Sequence, residues 1–330
     1  MRLLVLGGTE FVGHAFVDEA LSRGWPVTVF NRGTHRPPDG VTALRGDRTA
    51  EGGLAALEGQ GEWDVVVDTW SWAPSAVRDA ASALAGRVDR YVYVSSRSVY
   101  AQPRPPGSGE AEDAPLVEAS PDDGEVDYAR TKAGGELAAV AEFGERALLV
   151  RAGLILGPRE NIGRLPWWLN RIARGGPVLA PGPADAGLQY IDVRDLAAWS
   201  LDTAERAVGG PYDLISEPGF TTMRELLETC VRVTGSDAEL RWIDPEPIAA
   251  AGVQPWTDLP IWAPPGEDYD FLHRADVSKA LASGLRCRPV ADTVADTWAW
   301  LRGLDGDAPQ RADRPQVGLD PEVEARLLKA

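Results

Sequence analysis

Short, wholly apolar runs alternate along the first half of the chain with longer stretches whose apolar residues recur every three or four positions. LLVL at 3–6 ends in Gly7 and Gly8, and FVGHAFVDEALS then follows with helical spacing and stops near Gly24. PVTVFNRG, from Pro26, is the next apolar run. Strand, helix and strand within about 30 residues form a βαβ unit, which requires parallel pairing and a right-handed crossover.

The rhythm continues. VTALRGD predicts a strand, GGLAALEG a short helix, DVVVDTW a buried strand, SAVRDAASALAG a helix and RYVYVSS another strand. QPRPPGSGEAEDAP breaks the alternation with Pro, Gly and acid, which predicts an exposed, mobile loop. After it, DYARTKAGGELAAVAEFG predicts one helix and RALLVRAGLILG one further buried strand. The whole reads as a doubly wound α/β domain with a parallel sheet.

From about residue 158 the chain is richer in Trp, Pro and Gly, which predicts a second, smaller mixed α/β lobe. DVRDLAAWSLDTAERA, TTMRELLETCVRVTG, DVSKALASGL and VADTVADTWAWLRGL predict helices. In LDPEVEARLLKA, Asp320 is the expected cap and Pro321 the first helical residue. The expected division is a dinucleotide-binding domain over 1–157, joined by a segment near 188–208, a substrate lobe over 158–303, and a tether with a short helix over 304–330.

Composition narrows the function classes. The 330 residues are 44% hydrophobic and 25% charged, as in ordinary globular proteins. A net charge of -17 repels phosphate backbones and anionic lipid, so neither nucleic acid nor a membrane is an expected partner. Cys230 and Cys287 give no disulfide framework, and His14, His35 and His273 are scattered, so no metal is expected. No apolar run approaches the ~20 residues of a membrane span, which leaves a cytoplasmic protein as the expectation.

Two patterns carry chemistry. In GGTEFVG, Gly7, Gly8 and Gly13 stand where a strand hands over to a helix, so the backbone can approach a pyrophosphate at the helix N-terminus. At the end of the second strand, where an acid would accept from a ribose 2'-hydroxyl, the chain has Asn31 and Arg32; a guanidinium there suits a 2'-phosphate. Asp47 after the third strand suits an adenine amino group or a helix cap. The second pattern is Tyr128 followed four residues later by Lys132, in a chain whose other lysines are Lys279 and Lys329. Residues four apart share a helix face.

With YVYVSSRSVY, YIDVRDLA and DVSKAL, these motifs make residues 1 to about 303 resemble the extended short-chain dehydrogenase/reductase family, also called the NAD-dependent epimerase/dehydratase family. The resemblance implies a Rossmann sheet. It makes Tyr128 the general acid/base, Lys132 the group that lowers the Tyr128 pKa and holds the nicotinamide ribose, and Ser96 the residue that polarises the substrate carbonyl. The implied cofactor set is Gly7, Thr9, Glu10, Phe11, Val12, Gly13, Asn31, Arg32, Asp47, Arg48, Thr69, Tyr128 and Lys132. The substrate set is Trp70, Arg97, Ser98, Arg159 and Trp168.

The chain also departs from the pattern. Glu10 replaces the middle glycine of the loop. Arg97 and Ser98 stand where dehydratases have an acid pair, which argues against sugar-nucleotide dehydration. Leu154 stands where sugar-nucleotide enzymes have Asn. The leading expectation is an NADP(H)-dependent reductase or dehydrogenase of a small ketone or alcohol, NAD(H) being the alternative cofactor. The alternative function is an epimerase or isomerase of a sugar-like substrate that retains its nicotinamide; an RNA-binding relative without catalysis is the third. A homodimer is left open.

Overall fold

The computed structural model describes residues 1–102 and 111–329. The predicted loop around 102–115 falls largely on residues 103–110, outside the described residues. The chain divides into two compact units: 1–153, 193–214 and 276–286 form the first; 154–192, 215–275 and the remainder from 287 form the second.

The first unit is built on seven parallel strands: β1 Leu3–Leu6, β2 Val27–Asn31, β3 Thr42–Arg45, β4 Trp63–Asp68, β5 Val88–Ser96, β6 Ala147–Ala152 and β7 Gly210–Leu214. Their order in the sheet is β7-β6-β5-β4-β1-β2-β3. β1 to β3 run outward in one direction and β4 to β7 in the other, so the order reverses between β1 and β4. Beyond the C-terminal ends of such a pair, an open α/β sheet forms its ligand crevice.

The strands are apolar throughout because helices cover parallel sheets on both faces. α1 Phe11–Ser22, α2 Pro74–Leu84, α3 Tyr128–Phe143, α4 Val193–Glu205 and α5 Ser278–Ala282 are the helices of this unit. α1 packs on α4, where Arg23 binds Asp202 at 2.7 Å, and α2 packs on α3. The predicted GGLAALEG helix is only a 3₁₀ turn, Ala55–Leu57.

Two boundaries differ from the sequence expectation. The segment 276–286, expected in the second lobe, returns to the first unit because α5 serves β7: Lys279 Nζ donates to the Pro211 carbonyl at 2.6 Å and lies 4.3 Å from the centre of the Tyr212 ring. The expected single strand RALLVRAGLILG is divided: Ala147–Ala152 is β6, whereas Ile155–Leu156 pairs with Ile191–Asp192 in the second unit.

The second unit has a core of Leu165, Trp168, Leu226, Ile261, Trp262 and neighbours, with Pro177–Pro181 and Glu239–Ile243 paired in parallel. Its helix Arg164–Ala173 was hidden in the sequence by Pro and Trp, although Leu165, Trp168, Leu169 and Ile172 form a helical stripe. The C-terminal segment belongs to this unit rather than standing apart: Glu324 in the helix Pro321–Leu327 binds Arg171 at 2.7 Å. Asp320 caps that helix, accepting from the Glu322 and Val323 amides.

Candidate active site

The C-terminal ends of β1, β2, β4 and β5 and the start of α3 bring together most of the residues singled out in the sequence. At the end of β1, Gly7 and Gly8 have φ of 125° and 89°, which side-chain-bearing residues rarely adopt. Space is the second constraint: a Cβ on Gly7 would lie 2.7 Å from Thr69 Oγ1, and one on Gly13 would lie 2.6 Å from the Gly8 amide nitrogen. The first turn of α1 therefore closes onto the loop backbone, and the Thr69 side chain closes onto Gly7. Thr69 Oγ1 also donates to the Leu6 carbonyl at 3.2 Å.

Thr9, Glu10, Phe11 and Val12 lead from the loop into α1. Glu10 makes no side-chain cap to the helix; its carboxylate is exposed and lies 3.6 Å from His35 Nε2. At the end of β2, Asn31 Oδ1 accepts from the Gly33 amide at 2.8 Å, whereas Asn31 Nδ2 is buried without a hydrogen-bond partner. Arg32 is exposed, and its carbonyl accepts from Arg45 Nε at 2.9 Å. An uncapped helix start, a cradle that a Cβ would fill and an orphaned amide suit a dinucleotide.

Two expected cofactor residues have other duties. Asp47 accepts from the Thr49 amide and hydroxyl at 3.0 and 2.7 Å; these bonds, with a smaller contribution from Arg32, hold its carboxyl below the usual value. Arg48 is buried, and its guanidinium is engaged within the protein, its two Nη groups binding both oxygens of Asp68 at 2.7 and 2.8 Å. Asp68 also accepts from the Tyr91 hydroxyl at 2.6 Å. Burial pushes the Asp68 carboxyl up, but Arg48, with the Tyr91 hydroxyl and the Trp70 amide, outweighs it and the net shift is downward.

At the other end of the crevice, Asp127 caps α3 through the Arg130 amide, so the helix begins at Tyr128. Tyr128 is 37% exposed, whereas Lys132, one turn later, is 2% exposed. The Lys132 ammonium donates to the Val94 carbonyl at 2.7 Å and to the Trp70 carbonyl, and sits 4.9 Å from the centre of the Tyr93 ring. Gly135 permits this approach, because a Cβ there would collide with the Tyr93 hydroxyl. Ser96, the last residue of β5, caps the turn Arg97–Val99, and its Oγ is 3.2 Å from both the amide nitrogen and Oγ of Ser98.

The substrate expectations divide. Trp70 and Ser98 lie beside the Lys132 and Ser96 positions. Arg97, expected to meet the substrate, is 4% exposed and its guanidinium binds Asp213 on β7. Trp168 is likewise corrected, being wholly buried in the second unit with its indole donating to the Pro260 carbonyl at 2.8 Å. Arg159 is exposed in the second unit, with φ of 68°.

A polar cluster behind α3 escaped the sequence reading. Glu136 is gripped by Arg151, with Nη2 to Oε2 at 2.8 Å and Nε to Oε1 at 3.0 Å, and it accepts from Ser95 Oγ at 2.6 Å. Arg151 reaches the Tyr100 hydroxyl, which donates to Asp213. Burial opposes the charge on Arg151, but Glu136 and Tyr100 together outweigh it; burial also pushes the Asp213 carboxyl up against the pull of Arg97. The available signal was an arginine inside an apolar strand, LLVRA, which must find a buried partner.

No helix among the described residues is long and apolar enough to cross a membrane. Solved structures with the same fold include the UDP-glucose 4-epimerase of Thermus thermophilus in complex with NAD, 23% identical over 92% of this chain and 99% of that one, with a TM-score of 0.64. The Bordetella bronchiseptica enzymes WbmH, in complex with NAD+, and WbmG, with NAD and UDP, are each 18% identical over 92% of this chain. They are covered over 99% and 95% of their lengths, both with a TM-score of 0.64. None of the curated proteins compared with the chain matches it. The model of the NAD dependent epimerase/dehydratase family matches residues 3–213, the segment that carries the glycine loop, Ser96, Tyr128 and Lys132. With the seven-stranded parallel sheet, this match establishes that the chain belongs to that family, as an enzyme of the short-chain dehydrogenase/reductase type.

Proposed function

We propose that the chain is a nicotinamide-dependent epimerase that inverts a hydroxyl-bearing carbon of a sugar-like small molecule. The carrying observation is the pairing of half-exposed Tyr128 with buried Lys132 one helical turn away, its ammonium anchored to the Val94 and Trp70 carbonyls. The family match and the neighbours described as epimerases support inversion over net reduction.

In this reading the loop from Gly7 through Thr9, Phe11 and Val12 to Gly13 holds the pyrophosphate with backbone amides, with Thr69 closing over it. Lys132, an ammonium with three donors, holds the ribose next to the nicotinamide. The cofactor supplies a hydride acceptor that can return what it takes. Ser96 donates a hydrogen bond to the reacting substrate oxygen. Tyr128 takes the proton of that hydroxyl and gives it back, as a positioned acid/base does. Leu154, at 4% exposure, offers no polar group to a substrate.

A second reading, an NADP(H)-dependent reductase of a ketone, rests on Arg32. Its exposed guanidinium at the end of β2 suits a 2'-phosphate, which favours NADP(H) over NAD(H). Product analysis separates the two. Incubation with nucleotide sugars and simple sugars, with dinucleotide far below substrate, yields a stereoisomer if the chain is an epimerase. Consumption of NADPH in step with product, and no inversion, overturns the epimerase reading in favour of the reductase.

A further inference from the structure

Ser95, Glu136 and Arg151 take no part in the chemistry above, yet all three are buried, at 2%, 3% and 4% exposure. A buried ion pair is seldom retained for stability alone, since apolar residues of similar volume serve as well or better. Their placement supplies another reason. Ser95 follows Val94 and precedes Ser96 at the end of β5, and Glu136 stands one helical turn beyond Lys132 on α3.

Two successive residues of β5 thus hold two successive turns of α3. The Val94 carbonyl receives the Lys132 ammonium, and the Ser95 hydroxyl binds the Glu136 carboxylate at 2.6 Å. Arg151 on β6 completes the grip with two nearly parallel hydrogen bonds, a geometry that fixes orientation as well as distance. A shift of α3 along β5 cannot move Lys132 without breaking the Ser95–Glu136–Arg151 contacts.

We propose that Ser95, Glu136 and Arg151 are positioning residues that lock α3 onto β5, setting the depth at which the Lys132 ammonium meets the nicotinamide-side ribose. The inference rests on the reading of Lys132 given under the proposed function. It predicts a selective defect: misplacing Lys132 weakens the hold on the nicotinamide half of the cofactor and leaves the adenosine half untouched.

The test compares the affinity for NADH and NADPH with that for ADP, which has only the adenosine half, in wild type, Ser95→Ala, Ser95→Thr and Lys132→Met. Ser95→Ala keeps the Glu136–Arg151 pair, so its ADP affinity is expected to equal that of wild type. Its ratio of dinucleotide to ADP affinity is expected to fall about tenfold, the equivalent of one hydrogen bond to a charged group. Ser95→Thr restores the ratio. Should Ser95→Ala fail to fold, Glu136→Gln combined with Arg151→Met removes both charges together and must lower the same ratio. A ratio that falls in Lys132→Met but stays at the wild-type value in Ser95→Ala, or in the paired variant when that replaces it, overturns the positioning role alone. An unchanged ratio in Lys132→Met overturns the reading of Lys132 and the inference with it.

Discussion

At the end of β1 the chain makes room by leaving side chains out, while at the ends of β4 to β6 it fills the interior with paired charges. Gly7, Gly8 and Gly13 form a corner in which a single methyl group would meet the Thr69 side chain, the Val29 side chain or the Gly8 backbone within 2.6 to 2.8 Å. Arg48 with Asp68 and Arg151 with Glu136 form the opposite kind of corner, each a buried ion pair with an added hydroxyl donor. The first corner suits a ligand that approaches backbone amides. The second suits side chains that must keep their positions. Tolerance differs accordingly: the glycine corner fails by overfilling, the charged corner by losing one partner.

The largest effect is expected in the charged corner. Removing one member of a buried pair costs about 3–5 kcal/mol, so Asp68→Asn should lower the denaturant midpoint sharply. Its pH dependence is a separate check. The Asp68 carboxyl is lowered in the folded chain, so the stability it adds is complete above the free Asp value of about 3.9 and disappears as pH falls through the folded value. The gap between wild type and Asp68→Asn should therefore close on acidification; a gap that widens contradicts the pairing.

Gly13→Ala comes next, at about 1–3 kcal/mol, because its Cβ would be 2.6 Å from the Gly8 nitrogen. Dinucleotide titration should show lost binding in any fraction that stays folded; undiminished affinity would mean that the loop does not hold the pyrophosphate. Arg32→Ala should cost roughly tenfold, or ~1.4 kcal/mol, in NADPH affinity and leave NADH unchanged. Equal losses for both would remove the 2'-phosphate assignment. The smallest effect belongs to Glu10→Gln, expected to change stability by less than about 0.5 kcal/mol because the side chain lies at the surface; a larger loss in thermal unfolding would assign it a structural contact.

The two corners also differ in how far the sequence reveals them. The glycine corner and the Tyr128–Lys132 pair are local patterns, governed by strand-to-helix handover and helical spacing, so residue numbers alone locate them. The charged corner joins position 48 to 68 and position 95 to 136 and 151, residues that the fold rather than local spacing brings together. Arg97 and Arg48 illustrate the loss: each stands in a motif next to expected ligands, but whether an arginine faces a ligand or an acid beneath the sheet depends on partners distant in sequence. Trp168 was legible in principle, since it lies on the apolar stripe of its helix. The return of 276–286 to the first unit depends on the edge strand β7 and was beyond local reading.

The most direct test of the account is single-turnover hydride transfer in protein loaded with oxidised dinucleotide and mixed with an alcohol or sugar shown to be a substrate. The account predicts that reduced nicotinamide appears in wild type and that Tyr128→Phe slows it by roughly a hundredfold or more, the scale of a lost acid/base group. Equal rates in the two proteins would contradict the assignment of Tyr128 and, with it, the proposed mechanism.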